Sequence, residues 1–498
     1  MTQNALHPSD VTDELLATYE TVIGLEVHCQ LLTESKLFAQ DRNLFGAEPN
    51  TNIGPLTLAL PGTLPKINKK AVEYAIRLGL ACGCSISQRT IFDRKNYFYP
   101  DLPKGYQISQ DKKPICGNGG VTITTKNEVG KMTEKFIRFH HIHLEEDAGK
   151  SVHDGSVTET LLDYNRAGTP LVEMVSEPDL RSAEETGAFV TEIRRLVRYL
   201  NISDGNMEEG SLRCDVNVSI RKRGESKLGT KVEVKNMNSI RNMMRAISFE
   251  EKRQVAMLES DQEIQQETRM FDVETGQTYG MRVKETMNDY RYFPDPDLSP
   301  VVVSDEWLEG IRSSMPALPH ELREKFTNQY GIPAYDAMVL TDTREIAAYF
   351  EAVCAKTPAY KTASNWLMGP VKSYLNDHEG NIEHFPISPE RLGALIDLVE
   401  SDTVSNSVAT QKIFPVLLAE PERAPEEIAS ANNWLQNSNT NELESLVDEV
   451  INAMPDKVAA FKKGKKGLLG LFVGEVMKKS NNTADPKLVS QLLTSKLG

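Results

Sequence analysis

The chain has 498 residues, of which 40 % are apolar, 26 % charged and 7 % aromatic, enough for more than one core and unlike a disordered or fibrous polypeptide. Its formal net charge of −15 repels polyanions at long range, so any nucleic-acid contact must rest on a local basic surface. No run approaches the roughly 18 apolar residues needed to cross a bilayer, and the scattered Cys29, Cys82, Cys84, Cys116, Cys214 and Cys354 form no disulfide framework.

The first twenty residues carry four acids and no Lys or Arg. That excludes a secretory signal and a basic transit peptide, leaving an unprocessed cytoplasmic protein as the expectation. Residues 1–18 read as a flexible arm. From 19 to 303, short alternating runs are punctuated by Gly and Pro, as in strands and loops with a few helices.

In TVIGLEVHCQL, Ile23, Leu25, Val27, Cys29 and Leu31 fall on one strand face and Glu26, His28 and Gln30 on the other. Cys82-Gly-Cys84 has no second well-spaced pair with which to complete a tetrahedral site, so zinc is not expected. DRKNYFYPDLPKGYQISQ, residues 93–110, combines Arg94, Lys95 and Lys104 with Tyr97, Phe98, Tyr99 and Tyr106. Such a mix can hold phosphates and stack on bases; an aromatic loop packed over the core is the alternative.

HHIHLEEDAGK alternates too, with His141, His143, Glu145 and Asp147 opposite His140, Ile142, Leu144 and Glu146. LLDYNRAGTPLVEMVSEPD, residues 161–179, sets Asp163, Asn165, Arg166 and Glu173 around a Gly-Thr-Pro turn. In SLRCDVNVSI, Arg213, Asp215 and Asn217 oppose an apolar face. In KVEVK, Lys231, Glu233 and Lys235 oppose Val232 and Val234.

A sheet with one apolar and one polar face is normally antiparallel. The fold class is therefore α+β, with a polar concave surface. Any single such face is explained by solvation, but four strands that each bring acids together with His, Asn, Arg or Lys point to chemistry. Carboxylates with an imidazole and no thiolate suit Mg²⁺, and neighbouring Arg and Lys suit a transferring phosphoryl group. No Walker or kinase glycine signature is present.

Beyond Ser304 helical periodicity takes over, in 305–315, 343–356, 388–401, 411–420, 425–435 and 440–453. Residues 456–480 hold seven lysines and two acids. Their GKKG, residues 464–467, matches the GXXG backbone clamp of KH domains, although a solvated lysine-rich helix end explains it equally well.

The strings IGLEVHCQL, PGTLPKINKKAVEYAIRLGLA, DRKNYFYPDLPKGYQISQ, LEEDAGKS, NRAGTPLVEMVSEPD, MEEGSLRCDVNVS, KVEVKNMNS and DYRYFPDPDLSP together resemble the B-subunit family of the glutamyl/aspartyl-tRNA amidotransferases. The resemblance implies a cradle-shaped catalytic domain over 19–303, related in fold to glutamine synthetase, a helical domain over 304–405, and a tRNA-contacting tail over 406–498. It implies ATP as co-substrate, Mg²⁺ as metal, misacylated tRNA as substrate, and a heterotrimer with an ammonia-releasing A subunit and a small C subunit.

By the same resemblance, Glu26, His28 and Glu145 carry the metal, with Glu146, Glu173 and Glu209 as further ligands and Asp215 and Asn217 behind them. Arg94, Lys95, Tyr97, Lys104 and Arg213 would hold nucleotide or acyl phosphate. Many members carry a CxC…CxxC zinc knuckle where this chain has Ala39, Asp41, Gly54 and Thr57, again against zinc. Two other functions fit the polar sheet: amidation of a free small acid, and a tRNA-binding scaffold with structural carboxylates.

Overall fold

A computed structural model describes residues 6–127, 129–152, 159–283, 290–378, 380–436, 440–480 and 484–498. The chain forms two compact units, residues 1–316 and 317–498. In the first, the elements in chain order are β1 (Tyr19–Gln30), α1 (Lys69–Ala81), β2 (Asp93–Asn96), β3 (Tyr106–Ser109), β4 (Gly120–Lys126), β5 (Met132–Glu146), β6 (Pro170–Ser176), α2 (Ala183–Tyr199), β7 (Leu212–Lys222), β8 (Val232–Lys235), α3 (Ile240–Glu259), β9 (Glu267–Asp272), β10 (Gln277–Val283) and α4 (Asp305–Ser313).

One ten-stranded sheet organises this unit, in the order β10-β9-β8-β7-β1-β6-β5, continued by the short strands Cys116–Gly117 and Ser85–Ile86; β4 pairs with the outer half of β5. Every pairing is antiparallel except β8 with β9. The sheet is therefore mixed, where alternation predicts a purely antiparallel one. The exception follows from connectivity: α3 crosses between β8 and β9, and such a crossover lets successive strands run the same way.

The apolar residues of the alternating strands, including Ile23, Leu25, Val27, Ile142, Leu144, Val172, Met174, Val216 and Val218, are all buried. Helices cover that side: α1 packs on β5, α2 on β4, and α3 on β7 and β10. Their starts are set by side-chain caps, Asn68 on the amide of Lys70, Ser182 on that of Glu185 and Ser239 on that of Asn242, each satisfying a backbone donor that the helix leaves unpaired.

Residues 1–5 of the expected arm lie outside the described residues, but 6–18 are not loose. Val11 is buried with Tyr19, Ile220, Val232 and Val255, and Leu6, Leu15 and Leu16 pack against them, so the apolar positions of this short segment tie it to the sheet. Helix α4, placed with the C-terminal half by its periodicity, packs on α1 in the first unit.

The second unit is helical throughout its described residues. Its last three long helices, α5 (Thr440–Ala453), α6 (Leu469–Lys479) and α7 (Pro486–Leu497), share a core of Leu443, Val447, Phe472, Val476, Val489 and Leu493. Among the described residues no helix is long and apolar enough to cross a membrane.

Glu250 locks α3 to the far end of the sheet. Its fully buried carboxylate accepts from Arg253 at 3.0 Å and Gln254 at 3.1 Å, bonds Thr278, and lies 3.1 Å from Arg269. Removing one member of a buried charge network strands its partners without water. Glu250→Ala is expected to lower stability by about 3 kcal/mol or more, measured by urea unfolding of the purified protein. A loss below about 1 kcal/mol, the size of an exposed ion pair, would show that the network is dispensable.

Candidate active site

Strand register assembles the polar face. Across β1, His28 lies level with Glu173 of β6 and with Arg213 of β7, while Glu26 lies level with Asp215 of β7. Glu173 in turn lies level with His143 of β5, and Asn217 of β7 with Glu233 of β8. Side chains two residues apart share a face, so five strands deliver their polar residues to one surface.

Two clusters result. In the first, one ligand atom from each of His28, Glu145 and Glu173 lies within 4.8 Å of the others; in the second the same holds for Glu26, Asp215 and Glu233. His28 Nε2 is 3.2 Å from Glu173, and His143 lies 3.5 Å from Glu145 and 3.6 Å from Glu173. Ser109 donates to Glu145 at 3.0 Å, Asn217 to Glu26 at 3.1 Å and Thr268 to Glu233 at 2.7 Å. Lys235 bonds Asp215 and lies 3.4 Å from Glu233.

The clustering shows in the acidities. Burial, and then the neighbouring carboxylates of Glu173, Asp215 and Glu233, push the Glu26 carboxyl up. Burial disfavours charge on His28, but its hydrogen bond to Glu173 and the nearby acids win and raise it to about 9. Glu173 is buried too, yet His143, His28 and Lys95 hold its carboxyl far below the usual range. Burial works against Lys95 as well, and Glu145 keeps it charged.

The other expected residues have definite places. Arg213 donates to Asp147 at 2.8 Å, and Gln30 donates to the same oxygen at 2.8 Å. The Lys95 ammonium lies 5.1 Å from the ring of Tyr290, and the Tyr97 hydroxyl donates to Gln107 at 3.2 Å. Arg94 is clamped by Asp295 at 2.9 Å and Asp297 at 2.8 Å, above the ring of Tyr106.

Glu146 is not drawn into either cluster: it bonds Lys104 and accepts from the amide of Ile108 at 2.9 Å. Alternation turns it away from Glu145, onto the face it shares with Leu144. Glu209 also stands apart, in a turn where Asn206 accepts from its amide at 3.3 Å.

Glu233, His143 and Lys235 join the site although alternation alone gave them no role. Their signal was the polar phase of KVEVK and HHIHLEED, but which polar residue meets which depends on register between distant strands. At the knuckle positions, Asp41 accepts from the Thr57 hydroxyl, Gly54 lies against the Asp41 carboxylate, and the Lys36 ammonium is fully buried 3.5 Å from Thr57. All six cysteines are buried free thiols.

Hard oxygen donors without a thiolate, joined by the His28 imidazole in the first cluster and all carboxylate in the second, are of the kind that suits Mg²⁺. Burial first, and then three neighbouring carboxylates, raise the Glu26 carboxyl, and the like-charge part of that is what a divalent cation relieves.

Comparison with known proteins gives a consistent picture. Residues 21–309 match the GatB/GatE catalytic domain family and residues 348–497 the GatB domain family. The chain is similar to the B subunit of the aspartyl/glutamyl-tRNA(Asn/Gln) amidotransferase of Thermosynechococcus vestitus, 48 % identical over 97 % of this chain and 98 % of that one. It is 49 % identical to the same component of the Chlorobium luteolum enzyme, over 96 % of this chain and 99 % of that one. With its counterpart from Geotalea uraniireducens it is 48 % identical, over 96 % and 99 %.

A test of the charge balance is the His28 titration in metal-free protein. Its folded pKa, about 9, exceeds the ordinary 6.5. Its pairing therefore contributes stability that is fully present below about pH 6.5 and lost as pH rises through about 9. NMR titration of the His28 ring should give a midpoint well above 7, falling on Glu173→Gln. A midpoint at or below 6.5 would mean that Glu173 does not hold the proton.

Proposed function

Since the chain belongs to the family of aspartyl/glutamyl-tRNA(Asn/Gln) amidotransferase B subunits and serves tRNA-dependent amidation of misacylated tRNA, we propose that ATP activates the misplaced side-chain carboxylate on the face formed by Glu26, His28, Glu145 and Glu173. The observation that carries this reading is the convergence of two carboxylate clusters and Arg213 on one face of one sheet, with Lys95, from the separate β2–β3 pairing, held charged by Glu145.

The chemistry needs two steps. A carboxylate resists ammonia because oxide is a poor leaving group. Attack of that carboxylate on the γ-phosphorus of ATP gives an acyl phosphate and ADP; ammonia then adds to the acyl carbon, phosphate leaves, and a proton is lost to give the amide. Glu26, His28, Glu145, Glu173, Asp215 and Glu233 are the residues that would hold Mg²⁺. When bound, the metal supplies countercharge to phosphate oxygens.

Lys95 and Arg213 flank the carboxylates and would neutralise charge on the transferring phosphoryl group. Ser109, Asn217 and Thr268 fix the rotamers of Glu145, Glu26 and Glu233, so the donors are oriented before substrate arrives. Asp147 and Gln30 do the same for Arg213. Arg94, Tyr97 and Lys104, tied to Asp295, Gln107 and Glu146, support the nucleotide side of this face in the same reading. In this reading the sheet serves as a cradle of the glutamine synthetase kind.

A chain of this family requires companions, and ammonia would come from an amidase A subunit, with a small C subunit that braces the pair. The lysine-rich segment 456–480 is the tail's contact with the tRNA body, in the cytoplasm where tRNA is charged. A ligase that amidates a free small acid would share the carboxylate face but has no use for that basic segment.

The assembled complex should hydrolyse ATP in response to mischarged tRNA, and Glu26→Gln or His28→Ala should abolish this while sparing glutamine hydrolysis. Near wild-type amidation by either variant would overturn the assignment, and equal stimulation by free glutamate would favour the free-acid enzyme. Removing residues 440–498, which carry their own apolar core, should raise KM for tRNA with a salt-dependent loss of affinity. An unchanged KM would rule out the tail contact.

A further inference from the structure

The loop between β2 and β3 holds two large aromatic rings in water. Phe98 is 87 % exposed and Tyr99 53 %, although the loop is neither polar nor loosely attached. Leu102 is buried, the amide of Gly149 donates to Asp101 at 2.8 Å, and the Tyr164 hydroxyl donates to the carbonyl of Pro100 at 3.0 Å. Gly105, at φ +72°, lies under the Phe98 ring so closely that a Cβ there would sit 3.0 Å from it. Gly105 thus leaves room for the ring, which borders an open recess of about 450 Å³ lined also by Pro100, Leu102, Pro103 and Lys104.

Tyr99 is the outer end of a continuous aromatic row, and Phe98 is its neighbour in the chain. Tyr99 meets Tyr97 at 5.9 Å between ring centres, Tyr97 meets Tyr290 at 6.0 Å, and Tyr290 meets Tyr292 at 6.0 Å. Lys95 lies over Tyr290, and its charge is held by Glu145. The row therefore leads from solvent to the carboxylate clusters.

We propose that Phe98, with Tyr99 beside it, is a stacking platform for an unpaired nucleobase at the 3′ end of the RNA substrate. The inference rests on the function argued above. An aminoacyl group is esterified to the terminal ribose, so when its side chain reaches the carboxylate face the terminal bases must lie just outside it, where the row ends. Stacking also answers an electrostatic difficulty. The chain carries −15 and Lys104 beside the recess is already paired with Glu146, so long-range attraction for an RNA backbone is weak at this loop, whereas a π-face binds any base without regard to charge.

The adenine of ATP offers the same chemistry, and kinetics of the assembled complex separate the two sources. Phe98→Ala is expected to raise KM for mischarged tRNA about tenfold or more. KM for ATP and glutamine hydrolysis should stay unchanged, and Phe98→Trp should restore the wild-type KM. A tRNA carrying 2-aminopurine as its terminal base should be quenched on binding wild type and Phe98→Trp but not Phe98→Ala.

A rise in KM for ATP alone would assign the platform to the nucleotide and overturn the proposal, as would unchanged constants throughout. A wild-type complex without RNA-stimulated ATP hydrolysis would instead sink the functional reading, and the quenching experiment, which requires no turnover, would still decide the platform.

Discussion

Five carboxylates, Glu26, Glu145, Glu173, Asp215 and Glu233, are brought to one face of one sheet by the pairing of β1 with β6 and β7, and of these with β5 and β8. Folding alone gains nothing from such an arrangement, because like charges in a partly dry environment repel strongly. The molecule answers with a ring of counter-charges: His28 and His143 on Glu173, Lys95 on Glu145, Lys235 on Asp215 and Glu233, and Arg213 on Asp147. The Glu26 carboxyl stays raised in spite of them. In the proposed function, a further cation would relieve that excess of negative charge and bring phosphates with it.

The opposite face explains how such a patch survives. Its Val, Ile and Leu residues are sealed under α1, α2 and α3, and burial of apolar area is the dominant favourable contribution to folding. The Glu250 network then fixes α3 against β9 and β10. The apolar side holds the strands in register, and the register aligns the acids. Ser109, Asn217 and Thr268 orient the carboxylates of Glu145, Glu26 and Glu233 by hydrogen bonds, and in the proposed function that would leave little reorganisation for the chemical step.

Charge also divides labour along the chain. The polar face of the sheet is rich in acids, while most of the lysines of 456–480 lie between α5 and α6, in a region with a separate core. An RNA substrate would then be held electrostatically by its body and by stacking near its reactive end.

Sequence alone determined the binary pattern. The phase of IGLEVHCQL put Glu26 and His28 opposite Val27, the phase of HLEED put His143 with Glu145, and the change of period near Ser304 marked the helical half, because local alternation and helical periodicity are properties of neighbouring residues. Which residues meet was decided only by tertiary structure. Glu26 finds Asp215 and Glu233 from far along the chain, Glu146 turns aside to Lys104, and the parallel β8–β9 pair depends on where α3 crosses. Residues 6–18, polar in composition, dock through Val11, Leu15 and Leu16 because a complementary apolar surface awaits them. Strand register is a long-range choice, set by which apolar faces can be buried together, and no local pattern encodes it.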